Sequence, residues 1–201
     1  MNGISFTIKI NGMSIIFTIM FITFMILMGT HRVWETFYRG GRIKGTIVKK
    51  WTLNALTVVH VSIGVGCVIE YFVVRREISL FITFLGAAMF FFALIGRTWA
   101  INTLGRYHSP HIEVRENQPL ITIGPYRYLR HPIYFFTMFE LTGFPLIPNA
   151  YYSFAIALFI YIPLLLLRLH YEEQLMNVKF AEDYKSYKKE VRALFPLRKK
   201  V

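Results

Sequence analysis

The chain has 201 residues, of which 55% are apolar and 17% aromatic, with a net charge of +12 and a mean hydropathy of +0.44. An average globular chain is only about 45–50% apolar, so this composition excludes an ordinary soluble fold and predicts one all-α domain, an integral membrane helix bundle spanning residues 1–201. The basic residues lie between and after the apolar runs, where a membrane protein marks its cytoplasmic side, so the charge reports topology and not nucleic-acid binding.

The first apolar run, Ile10 to Met28, matches the roughly 20 residues of a membrane-spanning helix. Only Lys9 is basic before it, no small-residue cleavage site precedes Thr30, and the run exceeds the about 7–15 residues of a signal core, so it reads as a retained helix. Residues 31–51 then carry Arg32, Arg39, Arg42, Lys44, Lys49 and Lys50 against the single acid Glu35, a cytoplasmic, headgroup-facing loop without chemistry-bearing spacing. Spans over Ala55 to Val74 and Ile78 to Ala100 follow, separated by Arg75, Arg76 and Glu77, and so form a tight antiparallel hairpin that completes three helices in residues 1–100. Cys67, the single cysteine, lies inside an apolar run and reads as a small core residue. Glu70 reads as paired in the headgroup zone of Arg75 and Arg76, and Arg97, at the cytoplasmic end of its span, as a residue lining a site.

From Asn102 to Gln118 the chain is polar. Ser109 and Pro110 separate His108 from His111, and no second ligand pair follows at a zinc-like spacing, so a connecting loop is expected and no metal. Gln118 to Tyr134 reads QPLITIGPYRYLRHPIY, a basic and aromatic stretch punctuated by Pro119, Gly124, Pro125 and Pro132. Ile133 to Ile147 is short for a span, and with Tyr151 to Leu167 it predicts a thin or tilted hairpin turning at Pro148 and Asn149, capped by Tyr151 and Tyr152. Glu140, inside the first arm, reads equally as a hydrogen-bond partner of a neighbouring helix and as a site residue. Five spans place the basic segments on one side and the N-terminus outside. The tail repeats Leu175, Met176, Phe180, Tyr184, Tyr187 and Val191 at helical spacing, an amphipathic segment lying on the membrane surface or over the site.

Arg168, Glu172 and Glu173 emerge where the last apolar run ends, so they can meet the Gln118–Tyr134 stretch at one membrane face. No phosphate-binding glycine loop, nucleophile elbow or recognisable carboxylate pair with a base is present. Motif reading therefore ends at a polar pocket of tyrosines, His131, Arg168 and Glu172, suited to a ligand that is part aromatic and part charged.

GPYRYLRHPIY, followed after a hairpin by Arg168, Glu172 and Glu173 and then by Phe180, Tyr184, Tyr187 and Pro196, resembles the isoprenylcysteine carboxyl methyltransferase family over His111 to Pro196. Phospholipid N-methyltransferases and thiol methyltransferases share the pattern, and sterol reductases have a related C-terminal half. One departure is Phe135 and Phe136, where the family often has a small residue. The resemblance implies a cytoplasmic S-adenosylmethionine site, with S-adenosylhomocysteine as product, in residues 101–201. Its cofactor contacts would be His111, Gln118, Pro119, Leu120, Ile121, Tyr126, His131, Pro132, Ile133, Tyr134, Glu172 and Glu173. Arg168 and Glu172 would be catalytic, with Arg168 handling the acceptor.

The acceptor implied is amphiphilic and held in the bilayer, in the first place the carboxylate of a prenylated cysteine, with no obligatory protein partner. A phospholipid amine or a thiol is the alternative. Methyl transfer needs no metal, only an acceptor about 3–3.5 Å from the methyl carbon in line with its bond to sulfur. Without the resemblance, Arg168 and Glu172 at i and i+4 would be an ordinary helix ion pair worth about 0.2–0.5 kcal/mol. A nicotinamide-dependent membrane reductase is a further class, but its related tail has arginine and aspartate where this chain has Tyr171 to Glu173. A non-catalytic scaffold would not account for so many ligand-type groups in one stretch.

Overall fold

The structure is a computed structural model that describes residues 12–38, 41–115 and 118–195. Residues 1–40 and 41–201 form two compact units. In the first, helix α1 (Gly12–Val33) passes into a π-turn (Trp34–Tyr38). Its large apolar side chains Ile15, Ile16, Ile19, Met20, Ile26 and Leu27 are exposed, which is tolerable only in lipid. Thr30 returns its hydroxyl to the Ile26 carbonyl at 2.9 Å, satisfying a polar group without leaving the helix.

The second unit contains α2 (Lys50–Val74), α3 (Leu80–Leu104), α4 (Pro132–Leu146), α5 (Tyr151–Ile156) and α6 (Ile162–Glu190), the last two joined by a π-helical turn, Ala157–Tyr161. Among the described residues, four helical stretches are long and apolar enough to cross a membrane: Ile15–Thr36, Lys50–Val74, Leu80–Tyr107 and Tyr151–Glu190. At 15 residues, α4 is the short helix that the sequence leads one to expect over Ile133 to Ile147. It compensates by packing closely along α3, where Gly86 and Gly143 bring the backbones together: a Cβ on Gly86 would meet the Gly143 carbonyl at 2.7 Å. Further along the same seam, Gly96 leaves room for the buried Phe136 ring, whose Cε1 would lie 2.1 Å from a Cβ at that position. The bulky residue that departs from the resemblance is thus accommodated by a missing side chain on α3. Arg97 and Glu140, both 7% exposed, form an ion pair at 3.7 Å across that interface, so Glu140 faces a charge on the neighbouring helix.

At one end of the bundle, Glu70 accepts Arg76 Nη1 at 2.6 Å, as its headgroup-zone reading requires. It also accepts the backbone N–H groups of Tyr152 and Ser153, both at 3.1 Å, and so satisfies free donors at the N-terminus of α5. Arg76 lies over the rings of Tyr151 and Tyr152 at 4.9 and 4.8 Å. Asn149, with φ +57°, closes the α4–α5 turn, and its side chain bonds Thr83 and the Ser79 N–H. The expected turn at Pro148 and Asn149 is thereby pinned to the α2–α3 turn.

The opposite end holds the feature that the sequence did not foreshadow, a two-stranded antiparallel sheet of β1 (Thr46–Val48) and β2 (Ile112–Val114) in place of plain loops. Arg115 fastens it, donating to the carbonyls of Ile43 and Tyr107 and to Glu113.

Candidate functional site

Pro132 opens α4 as its first helical residue, where a missing N–H costs nothing, and this sets Tyr134 in the first turn. On α6, Arg168 and Glu172 lie one turn apart. They do not bond each other directly: Arg168 Nε donates to the Tyr134 hydroxyl at 3.1 Å, and that hydroxyl donates to Glu172 Oε2 at 2.5 Å. Arg168 also donates to Thr52 Oγ1 at 2.9 Å and to the Pro110 carbonyl at 2.6 Å. The simple helix ion pair is therefore replaced by a web joining α2, α4, α6 and the segment before β2. Thr52, fully buried in the first turn of α2, carries no signature that would have marked it in the sequence.

Glu173 faces a different set of groups. Arg130 donates to it at 3.0 and 3.3 Å, His131 Nε2 lies at 2.7 Å, Tyr184 donates at 2.8 Å, and Lys188 Nζ lies at 3.1 Å. Tyr184 and Lys188 reach it because α6 breaks at Ala181, whose φ of +41° belongs to no helix, and the remaining turns fold back. Tyr187 then donates to the Tyr126 carbonyl, and the backbone N–H groups of Arg130 and His131 bond the carbonyls of Arg192 and Ala193 at 2.9 and 3.1 Å. The tail thus lies against the 124–131 segment, as its amphipathic spacing suggests, with Tyr184, Tyr187 and Val191 in one cluster with Leu120, Met176 and Phe180. Lys179 holds Gln118 at 2.8 Å.

Of the expected site residues, Tyr126, His131, Tyr134, Arg168, Glu172 and Glu173 are drawn into this region. Pro132 is fully buried beside them, and Ile121 and Ile133 are half-buried; Leu120 packs against the tail, and Pro119 is exposed. Pro196 lies outside the described residues.

Two polar atoms here are buried without a partner, Tyr126 Oη and His111 Nδ1. Burial, then the nearby charge of Glu172, holds the Tyr126 hydroxyl well above the usual tyrosine range, so it stays a proton donor. A buried donor left unsatisfied costs about 1–3 kcal/mol, and a bound acceptor would recover it. Glu172 provides the complementary chemistry, since a carboxylate has about four acceptor positions and Tyr134 fills one. The pair suits a ligand that carries both hydroxyl or amino donors and a hydrogen-bond acceptor.

Residues 85–178 match the model of the isoprenylcysteine carboxyl methyltransferase family. The structure resembles that of the eukaryotic intramembrane Ras methyltransferase ICMT (isoprenylcysteine carboxyl methyltransferase), with a TM-score of 0.57 and 23% identity over 71% of this chain. The match covers 52% of that protein, so the chain spans about half its length. The uncharacterized protein YpbQ of Bacillus subtilis (strain 168) is 27% identical over 119 residues, 59% of this chain and 70% of YpbQ. The part of the chain that carries the isoprenylcysteine carboxyl methyltransferase pattern is thus residues 85–178, which run from α3 through α4 into α6.

Proposed function

We propose that this protein transfers the methyl group of S-adenosylmethionine to an amphiphile held in the membrane, at a site facing the cytoplasm. The observation that carries the reading is the buried, unpartnered Tyr126 hydroxyl in the field of Glu172. A nucleoside-amino acid conjugate offers what these groups lack, an acceptor for the tyrosine and hydroxyl or ammonium donors for the carboxylate. S-adenosylmethionine supplies a methyl carbon that is already electrophilic, so the protein has only to bind, orient and exclude water.

The division of labour follows from the contacts. Glu172 accepts cofactor donors while Tyr134 fixes its rotamer. Glu173, bound by Arg130, His131, Tyr184 and Lys188, holds the tail against the 124–131 segment and so shields the site from water. Gln118 and Leu120 meet the tail, and His131, Pro132 and Ile133 set the start of α4. The acceptor enters from lipid. The family's name makes the carboxylate of a prenylated cysteine the first candidate, with lipid amine and thiol heads after it.

The test is methyl transfer by the purified full chain in proteoliposomes, followed as radiolabelled methyl extracted into the lipid phase. Wild type labels an amphiphile, whereas Glu172→Gln labels far less at the same cofactor concentration. Labelling that does not depend on Glu172, in a folded protein, would remove this assignment.

A further inference from the structure

Arg168 is committed to the protein. Each of its three guanidinium nitrogens already donates, to Tyr134, Thr52 and Pro110, and the residue is 6% exposed. A carboxylate acceptor needs a two-point grip from an open fork, and little of this one is open.

Next to Pro110, His111 presents the opposite situation. Its backbone N–H is held by Ser109 Oγ at 3.0 Å, which fixes the residue, while its buried Nδ1 has no partner. The charged groups that face it are Glu113 from β2, Arg168 from α6, Lys50 from the first turn of α2 and Arg42 from the segment before β1. Burial first, then the three cations, outweigh Glu113 and lower the imidazole pKa, so the ring is neutral at physiological pH. A neutral imidazole beside a methyl-transfer site can take a proton, and a carboxylate acceptor has none to give. The cations also disfavour an ammonium head and favour an oxygen or sulfur that becomes anionic.

Resting on the methyltransferase reading above, we propose that His111 Nδ1 is the general base for an acceptor with a weakly acidic O–H or S–H, a long-chain phenol or thiol. The O–H or S–H bond breaks as its proton passes to Nδ1, and the lone pair left on that atom forms the bond to the methyl carbon. The methyl–sulfonium bond breaks, its electron pair stays on sulfur, and a neutral thioether leaves. The positive charge of the sulfonium ends on the imidazolium, which returns its proton to water. Arg168 is then a positioning residue that holds Tyr134 and the Pro110–His111 segment.

Three probes with the same alkyl tail, ending in a phenol, a thiol and a carboxylate, are offered with S-adenosylmethionine to the full chain in proteoliposomes. Wild type methylates the phenol or the thiol in preference to the carboxylate. Its rate rises with pH on an acid limb below the ordinary histidine range. His111→Gln lowers that turnover about 10²–10⁴-fold, as expected for loss of a general base, and abolishes the limb. Should His111→Gln not fold, the acceptor preference and the wild-type pH limb decide the matter. Preference for the carboxylate, no product from either neutral probe, or a His111→Gln protein that keeps its rate and limb would overturn the proposal. Each of those results, with S-adenosylhomocysteine still binding, leaves the methyltransferase reading standing, whereas failure of the wild type to bind it removes both.

Discussion

Adding one methyl group at Gly96 tests how α3 and α4 fix the start of the site. In Gly96→Ala the new Cβ would fall 2.1 and 2.2 Å from Cε1 and Cζ of Phe136, against an ordinary carbon contact of about 3.5–4.0 Å, so ring or helix must move by more than 1 Å. The ring has little freedom, because it is buried and packed edge-on against Phe92 and Phe135 at centroid distances of 5.4 and 5.3 Å. Overpacking of this kind costs about 1–3 kcal/mol and belongs at the upper end here, while replacing glycine in a helix returns about 0.8–1.0 kcal/mol. The net loss is about 2 kcal/mol, roughly 4–8 °C in melting temperature for a chain of this size. Thermal unfolding in detergent of wild type, Gly96→Ala, Phe136→Leu and the double variant measures it. Leucine withdraws the ring atoms that clash, so the double variant should recover much of the loss, with a coupling of about 0.5–3 kcal/mol. Two independent losses that simply add, or a Gly96→Ala protein as stable as wild type, would refute the packing argument.

Three further predictions follow from the contacts. Glu70→Gln weakens both the tie to Arg76 and the cap on α5, so unfolding should come about 1–3 kcal/mol sooner, with turnover per folded molecule unchanged. Arg168→Lys keeps the charge but cannot hold Tyr134, Thr52 and Pro110 together, so turnover should fall well before cofactor affinity does, and equal kinetics on every acceptor would remove Arg168 from the mechanism. Because the His111 pKa is lowered from 6.5 on folding, the unfolded chain binds its proton first as pH falls. Stability should therefore decline from near pH 6.5 down to the folded pKa; His111→Gln should flatten that decline in a series of melting curves.

The apolar runs made the helices legible because span length is dictated by bilayer thickness, and even the shortness of α4 was visible in Gly143, Pro145 and Pro148. The sheet was not, because each strand has three residues and the partners Ile47 and Glu113 lie 66 positions apart, beyond the reach of any local periodicity. The pairing of Arg97 with Glu140 likewise depends on the rotation of α3 against α4, which the glycines at 86, 96 and 143 set. At the site, the residue types were visible but their division was not. Glu172 and Glu173 are adjacent in sequence, yet their side chains diverge on the helix, one toward Tyr134 and the other toward the tail. The fold-back at Ala181 had no glycine or proline to announce it.

Tyr126 and Glu172 are the groups proposed to receive S-adenosylmethionine. Titration calorimetry of the purified chain with S-adenosylhomocysteine, and separately with a reduced nicotinamide nucleotide, tests that assignment most directly. S-adenosylhomocysteine should bind and the nicotinamide should not, and Glu172→Gln should lose about 1.5–3 kcal/mol of binding free energy, the contribution of hydrogen bonds to a charged acceptor. Binding of the nicotinamide alone, or an affinity for S-adenosylhomocysteine that Glu172→Gln leaves unchanged in a folded protein, would contradict it.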